Sequence, residues 1–203
     1  MPESDTHNMS VIAIDFDDVI ATFNRAYIEH HNRVHQVPRI EYDLVDSYDF
    51  TEVYGVDAQT MAERVRTFCL KHHDDIVPWK GAKEALAALS QDHELHVVTS
   101  RCESLTEVTE AWLMKHDLRK YFSALHFTNG FGSLYPERRR SKSSVCAEIG
   151  AGVLIEDATH NAEEVADTGV LVLLPDRPWN RSFAHQGVVR FAEWEEVPPI
   201  LRN

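Results

Sequence analysis

Residues 11–19 read Val-Ile-Ala-Ile-Asp-Phe-Asp-Asp-Val, and no other stretch limits the possible folds as tightly. Four consecutive apolar residues, three of them β-branched, are the pattern of a short strand buried on both faces. That strand runs straight into Asp15 and Asp17. In an open α/β sheet ligands collect in the crevice beyond the carboxyl ends of the strands, so such a strand delivers carboxylates to a binding edge. A polar turn in which Asp17 or Asp18 caps a helix starting near Val19 accounts for part of this acidity. It leaves Asp15 unexplained.

The same alternation continues down the chain. Ile20, Phe23, Tyr27 and Ile28 recur at helical spacing, and Pro38 closes that segment. From Arg39 to Val77 no buried strand is evident, and Asp57–Leu70 has one apolar face built from Ala58, Met61, Ala62, Val65 and Phe68 or Cys69. Asn24 to Pro78 reads as a small helical insertion, ended by Pro78-Trp79-Lys80-Gly81. Beyond it, strands are predicted at Leu95–Val98, Ala124–Phe127, Val153–Ile155 and Val170–Leu174. Helices over Ala82–Leu89, Ser104–His116, Lys142–Ile149 and Asn161–Asp167 separate them. With the first strand this makes five, and short buried strands alternating with helices predict an α/β fold, a parallel, doubly wound sheet with right-handed crossovers. The expected organisation is a discontinuous core, 9–23 and 79–197, with 24–78 inserted, and flexible tails over 1–8 and 198–203.

At 203 residues and 43% hydrophobic the chain suffices for one such core with one insertion. A formal net charge of −13 argues against binding a nucleic acid polymer or an anionic membrane through a general positive field. No apolar run approaches the roughly 20 residues of a membrane span. Met1–Ser10 lacks the pattern of a secretory signal. Cys69, Cys102 and Cys146 are scattered, without the spacing of a zinc knuckle or a disulfide framework. The expected location is the cytoplasm.

Three further strand ends repeat the logic of the first. Leu95–Val98 leads into Thr99-Ser100-Arg101, whose hydroxyls and backbone N–H groups suit a phosphoryl oxygen. Val153–Ile155 ends in Glu156-Asp157, with Asn161 one turn on, and Lys142 opens the preceding helix. In one parallel sheet these groups converge on a single pocket. Two carboxylates about 4 Å apart repel by about 4 kcal/mol at an effective dielectric near 20, so the gathered acids require shared protons or a cation. Oxygen donors without a supporting His or Cys set point to Mg2+ rather than zinc. Arg138, Arg139 and Arg140 precede Lys142 and fit either a phosphate contact or a solvated patch, and Arg101 has the same two readings. The histidine pairs His30-His31 and His72-His73 have no third ligand in context and read as surface or cap residues. Tyr42, Tyr48 and Phe50 suit either stacking on a base or the insertion's own core. The tryptophans Trp79, Trp112, Trp179 and Trp194 read as packing anchors.

The order Asp15-Phe-Asp17, Thr99, Lys142, Glu156-Asp157 resembles the four motifs of the haloacid dehalogenase superfamily of phosphohydrolases, with 24–78 where that family places its type 1 cap. Thr99-Ser100, Ile155-Glu156-Asp157 and Asp176-Arg-Pro-Trp-Asn180 are similar to its cytosolic 5′(3′)-deoxyribonucleotidase type. The resemblance implies a Rossmann-like core and a Mg2+-dependent phosphomonoester hydrolase acting on a small phosphorylated substrate, a nucleoside monophosphate among the candidates. It implies Asp15 as nucleophile and Asp17 as acid and base. Thr99, Ser100 and Lys142 are then expected on the phosphoryl group. The Asp15 carboxylate, the Asp17 backbone carbonyl and Asp157 are expected on the metal, with Glu156 and Asn161 behind them and Arg101 and Arg140 as substrate contacts. Asn161 departs from the acid often found there, and Asp18 replaces a small residue. A phosphotransferase or mutase shares the covalent step, and a non-catalytic binding protein shares the fold.

Overall fold

The first strand occupies the middle of the sheet. The computed structural model describes residues 10–35, 39–130 and 136–202. Strand β1 (Ser10–Ile14) is followed by helices α1 (Phe23–Val34), α2 (Phe50–Tyr54), α3 (Ala58–Lys71) and α4 (Ala82–Leu89). Then come β2 (His93–Thr99), α5 (Thr106–Lys115), β3 (Phe122–Phe127), α6 (Lys142–Ile149), β4 (Ala151–Ile155), α7 (Thr159–Ala166), β5 (Leu171–Pro175), β6 (Val188–Phe191) and α8 (Val197–Leu201). The strands pair in the order β3-β2-β1-β4-β5-β6 and every pairing is parallel. The chain winds outward from β1 on one side, then crosses to β4 and winds outward on the other. That reversal beside β1 opens a crevice at the carboxyl edge.

Register decides what reaches this edge. Ile14 lies level with Val97 on one side and Ile155 on the other. The acids after β1 and β4 therefore emerge together, flanked by the end of β2. Ile12, Ala13 and Ile14 are fully buried, as the apolar run requires. Ile12 and Ile14 join the larger core with Leu86, Leu95 and Trp112, while Ala13 faces the opposite layer with Leu154, Val165 and Val172. Met61, Val65, Phe68 and Cys69 of α3 belong to that larger core, so both Phe68 and Cys69 face inward.

Three expectations are corrected. Helix α1 starts at Phe23, not near Val19, because residues 16–22 form a tight turn pinned to the chain at 77–79. Thr22 N–H donates to the Val77 carbonyl and Trp79 N–H to that of Ile20, both bonds formed across the insertion. A sixth strand, β6, adds to the edge of the sheet beside β5. Its four residues carry too short a pattern to announce themselves. The segment after Val197 is helical in α8 rather than unstructured through Leu201, with Val197 fully buried. Pro198 and Pro199 sit in its first turn, where fixed φ and a missing N–H cost nothing. The tail expected over 1–8, and Pro38, lie outside the described residues. Between 39 and 78 the described residues contain helices and no strand.

Candidate active site

Helix α6 begins where the Ser141 hydroxyl accepts the Ser144 N–H at 3.1 Å, a local cap that places Lys142 on the first turn. Lys142 is 2% exposed, and its Nζ lies 2.7 Å from Asp15 Oδ1 and 2.5 Å from Glu156 Oε2. Burial works against its charge, but the carboxylates of Asp15 and Glu156 overcome this and push its pKa up. The exposed-lysine reading is thereby set aside. Glu156 is fully committed, since its Oε1 accepts the Ala158 N–H at 2.9 Å.

Asp157 is held differently. Its Oδ2 accepts the Trp179 indole N–H at 2.9 Å and its carbonyl accepts Asn180 Nδ2 at 2.9 Å. Its Oδ1 is buried without a hydrogen bond. Asp15 Oδ1 has Lys142 at ion-pair distance but no well-aligned hydrogen bond. Oxygens of Asp15, Glu156 and Asp157 lie within 4.8 Å of one another. Burial, with Glu156 and Asp17 adding to it and Lys142 opposing, raises the Asp15 carboxyl to about 7. Burial and then the neighbouring acids Glu156, Asp18 and Asp15 push Asp157 well above the usual carboxylate range. With Glu156 tied to Lys142 and the Ala158 N–H, the buried carboxylates of Asp15 and Asp157, the latter with an unpartnered oxygen, offer oxygen donors that fit a hard divalent cation.

Asp17 is not one of the three clustered carboxylates. Its carboxylate takes both Arg101 Nε and Nη2 at 2.8 Å, while Arg101 Nη1 donates to Thr109 Oγ1 at 2.9 Å. The Arg101 guanidinium also sits 4.3 Å over the Phe16 ring. Every arm of Arg101 is thus occupied by the protein, and the expected substrate contact is here a clamp on Asp17. Asp18 resolves the capping question, as its two carboxylate oxygens accept the Asn24 N–H at 3.0 and 3.2 Å and cap α1 from outside it. It reaches this position with φ at 57°, a left-handed conformation that Asp tolerates.

Thr99 (1% exposed), Ser100, Lys142, Asp157 and Asn161 line one cavity of about 590 Å³ with Asp15 and Asp17. Asn161 Nδ2 is buried there without a partner. Arg139 and Arg140 reach the same cavity, Arg140 while paired with Glu148. Asn129 holds their loop, since its Oδ1 accepts the Glu103 N–H at 3.0 Å and its Nδ2 donates to the Arg138 carbonyl. The opposite wall is apolar and comes from Phe23 at the start of α1, Phe50 of α2 and Val65 of α3. Tyr48 also lines it, its ring 5.3 Å from that of His160. Tyr42 is elsewhere, edge-on to Trp179 at 5.7 Å.

Sequence reasoning missed the residues that hold the site. Trp179 is a hydrogen-bond donor to Asp157 rather than a packing anchor alone, and Arg177 Nε donates to the Asp18 carbonyl at 2.8 Å. Their signal was Asp176-Arg-Pro-Trp-Asn180 directly after buried strand β5, a stretch that carried the family resemblance but no residue role. Among the described residues no histidine joins a group of three or more metal-type ligands.

A family model described as "5′ nucleotidase, deoxy (Pyrimidine), cytosolic type C protein" matches residues 9–202. The chain belongs to this nucleotidase family. It is a phosphomonoester hydrolase whose substrate is a small phosphorylated compound. A nucleotidase of Clostridium acetobutylicum is 27% identical over 190 residues, covering 94% of this chain and 92% of its own. A haloacid dehalogenase-like hydrolase from Streptococcus pneumoniae has the same fold, with a TM-score of 0.67 at 13% identity, covering 95% of this chain and 98% of its own. YfnB from Bacillus subtilis, solved bound to magnesium, superimposes with a TM-score of 0.57 at 15% identity, covering 96% and 99%. No helix among the described residues is long and apolar enough to cross a membrane.

Proposed function

We propose that this nucleotidase works through an aspartyl-phosphate intermediate on Asp15 and requires Mg2+. The observation that carries the proposal is Lys142, 2.7 Å from Asp15 at the foot of a cavity that also holds Asp157 with an unpartnered oxygen. The Asp15 carboxylate attacks phosphorus, the ester P–O bond breaks, and the leaving oxygen takes a proton from Asp17. Asp17 then removes a proton from water as the water oxygen attacks, and the bond to Asp15 breaks to release phosphate. Thr99, Ser100 and Lys142 hold the transferring oxygens. The Asp15 carboxylate, the Asp17 carbonyl and Asp157 would hold Mg2+, which supplies positive charge against the phosphoryl oxygens when bound. Glu156 fixes Lys142, Asn161 offers its free amide, and Arg140 contacts substrate from the cavity rim.

Residues 24–78 act as a cap that selects the leaving group. A cavity of about 590 Å³ with Phe23, Phe50 and Tyr48 on its wall suits a nucleoside monophosphate, its base against the rings. The family's cytosolic description and three free cysteines support a cytoplasmic enzyme. Phosphate release from a panel of nucleoside monophosphates and sugar phosphates, with and without Mg2+ and beside Asp15→Asn, tests the reading. Undiminished activity in Asp15→Asn, or indifference to Mg2+, overturns it.

A further inference from the structure

On the far side of the turn that follows β1 lies a second cavity, of about 250 Å³, which shares no lining residue with the first. Four cationic side chains line it, Arg25, Lys80, Arg177 and Arg181, and none of them forms an ion pair among the described residues. In a chain of net charge −13 this is the reverse of the general field. Arg177 is 5% exposed and bonds only backbone carbonyls, those of Asp18 and Asp176. Trp79 and Tyr42 form the rest of the wall. The Trp79 ring lies 3.8 Å from the Arg177 guanidinium and 5.3 Å from that of Arg25, and Arg25 also sits 4.1 Å over Tyr42.

Two donors there lack partners: Trp79 Nε1 and the Tyr42 hydroxyl are buried without a hydrogen bond. Three acids also border the cavity, Asp43, Asp176 and Glu193. Asp176 lies 3.6 Å from Arg190 outside it, and the Glu193 carboxylate caps the turn at Trp194. Asp43 is exposed at the rim, and Asp18 and Asp157 act on Arg177 from the lining of the other cavity, so Arg25, Lys80 and Arg181 outnumber the free acid here. Like charges gathered with buried unmet donors are stabilised by an anion that accepts from all of them.

We infer that this cavity is a second binding site, for a small oxyanion of the phosphate class. Its volume is less than half that of the active-site cavity, which fits free phosphate better than a nucleotide. Arg177 joins the two sites, with its guanidinium at one and the carbonyl it holds, that of Asp18, in the turn that follows Asp15 and carries Asp17. Tyr42 makes a second link through its contact with Trp179, which holds Asp157.

Calorimetric titration of the Mg2+-loaded full chain with inorganic phosphate tests the site. The expected result is two phosphates per chain, of which Arg25→Gln/Arg181→Gln loses one, or binds it at least tenfold more weakly, with basal turnover of p-nitrophenyl phosphate unchanged. Arg66→Gln/Arg202→Gln makes the same change in charge elsewhere and retains both. A native stoichiometry of one that Arg25→Gln/Arg181→Gln leaves intact overturns the inference, and so does equal weakening in the control. Lys142→Met reports separately on the active site: the loss of the other phosphate belongs to the catalytic reading, and its survival counts against that reading alone.

Discussion

Three of the groups to which the proposed mechanism gives a role are each gripped by a neighbouring side chain. Glu156 holds Lys142, Trp179 holds Asp157 and Arg101 holds Asp17. Partners that orient a ligand typically tune metal affinity 10–100-fold. Trp179→Phe keeps the ring and removes the donor, so half-maximal activity should require roughly 10-fold more Mg2+, with little change in turnover at saturation. A Mg2+ titration of activity decides this; an unshifted midpoint refutes it. Arg101→Lys breaks the two-pronged grip on Asp17 that only a planar guanidinium makes. If Asp17 protonates the leaving oxygen, hydrolysis of an alkyl phosphate should fall by about 10²-fold. Hydrolysis of p-nitrophenyl phosphate, whose leaving group needs no proton, should fall far less. Equal losses would show Arg101 to be structural only.

At the scale of elements, the sheet edge is assembled by register and caps. Ser141 is one such cap, and Ser141→Ala should cost about 1 kcal/mol of stability, read as a shift of the denaturation midpoint. It should also lower activity, because Lys142 lies on the turn that Ser141 fixes; loss of stability with unchanged kcat would separate the cap from the site. The strands β1 to β5 were legible because each carries a largely apolar run set between helical segments, the mark of a buried strand in an alternating α/β chain. Strand β6 and helix α8 were not, since Arg190 interrupts the apolar run of one and two prolines open the other, and both take their structure from what they dock against. Val189 of β6 is exposed and Phe191, two residues on, buried, a pattern too brief to read.

For the whole molecule, the linkage between protons and cation makes a prediction. In the metal-free chain Asp15 is raised from 3.8 to about 7, so its contribution to stability is full below pH 3.8 and is lost as pH rises through 7. Mg2+ bound at Asp15, as proposed, would require the ionised carboxylate and displace that proton below pH 7. The increase in Tm produced by a fixed concentration of Mg2+ should therefore be small at pH 5 and grow up to pH 8. A flat difference across that range removes Asp15 from the metal site. His31 acts in the opposite sense and apart from metal. Burial pushes it down to about 4 from 6.5, so stability is present above pH 6.5 and lost as pH falls toward 4. His31→Phe should flatten the acid limb of the Tm curve; an unchanged limb excludes it.

Local chemistry written along the chain determined a great deal on its own: apolar β-branched runs ending in Asp15, Thr99 and Asp157 specify a parallel sheet and an acidic, oxygen-rich edge. Periodicity and composition act between near neighbours, and those are visible in one dimension. Tertiary structure alone decided which acid is free and which is tied. Arg101 meets Asp17 across 84 positions, Arg177 meets Asp18 across 159, and Trp179 meets Asp157 across 22. A hydrogen bond is satisfied by any donor within reach, so its partner is chosen only once packing has brought distant segments together.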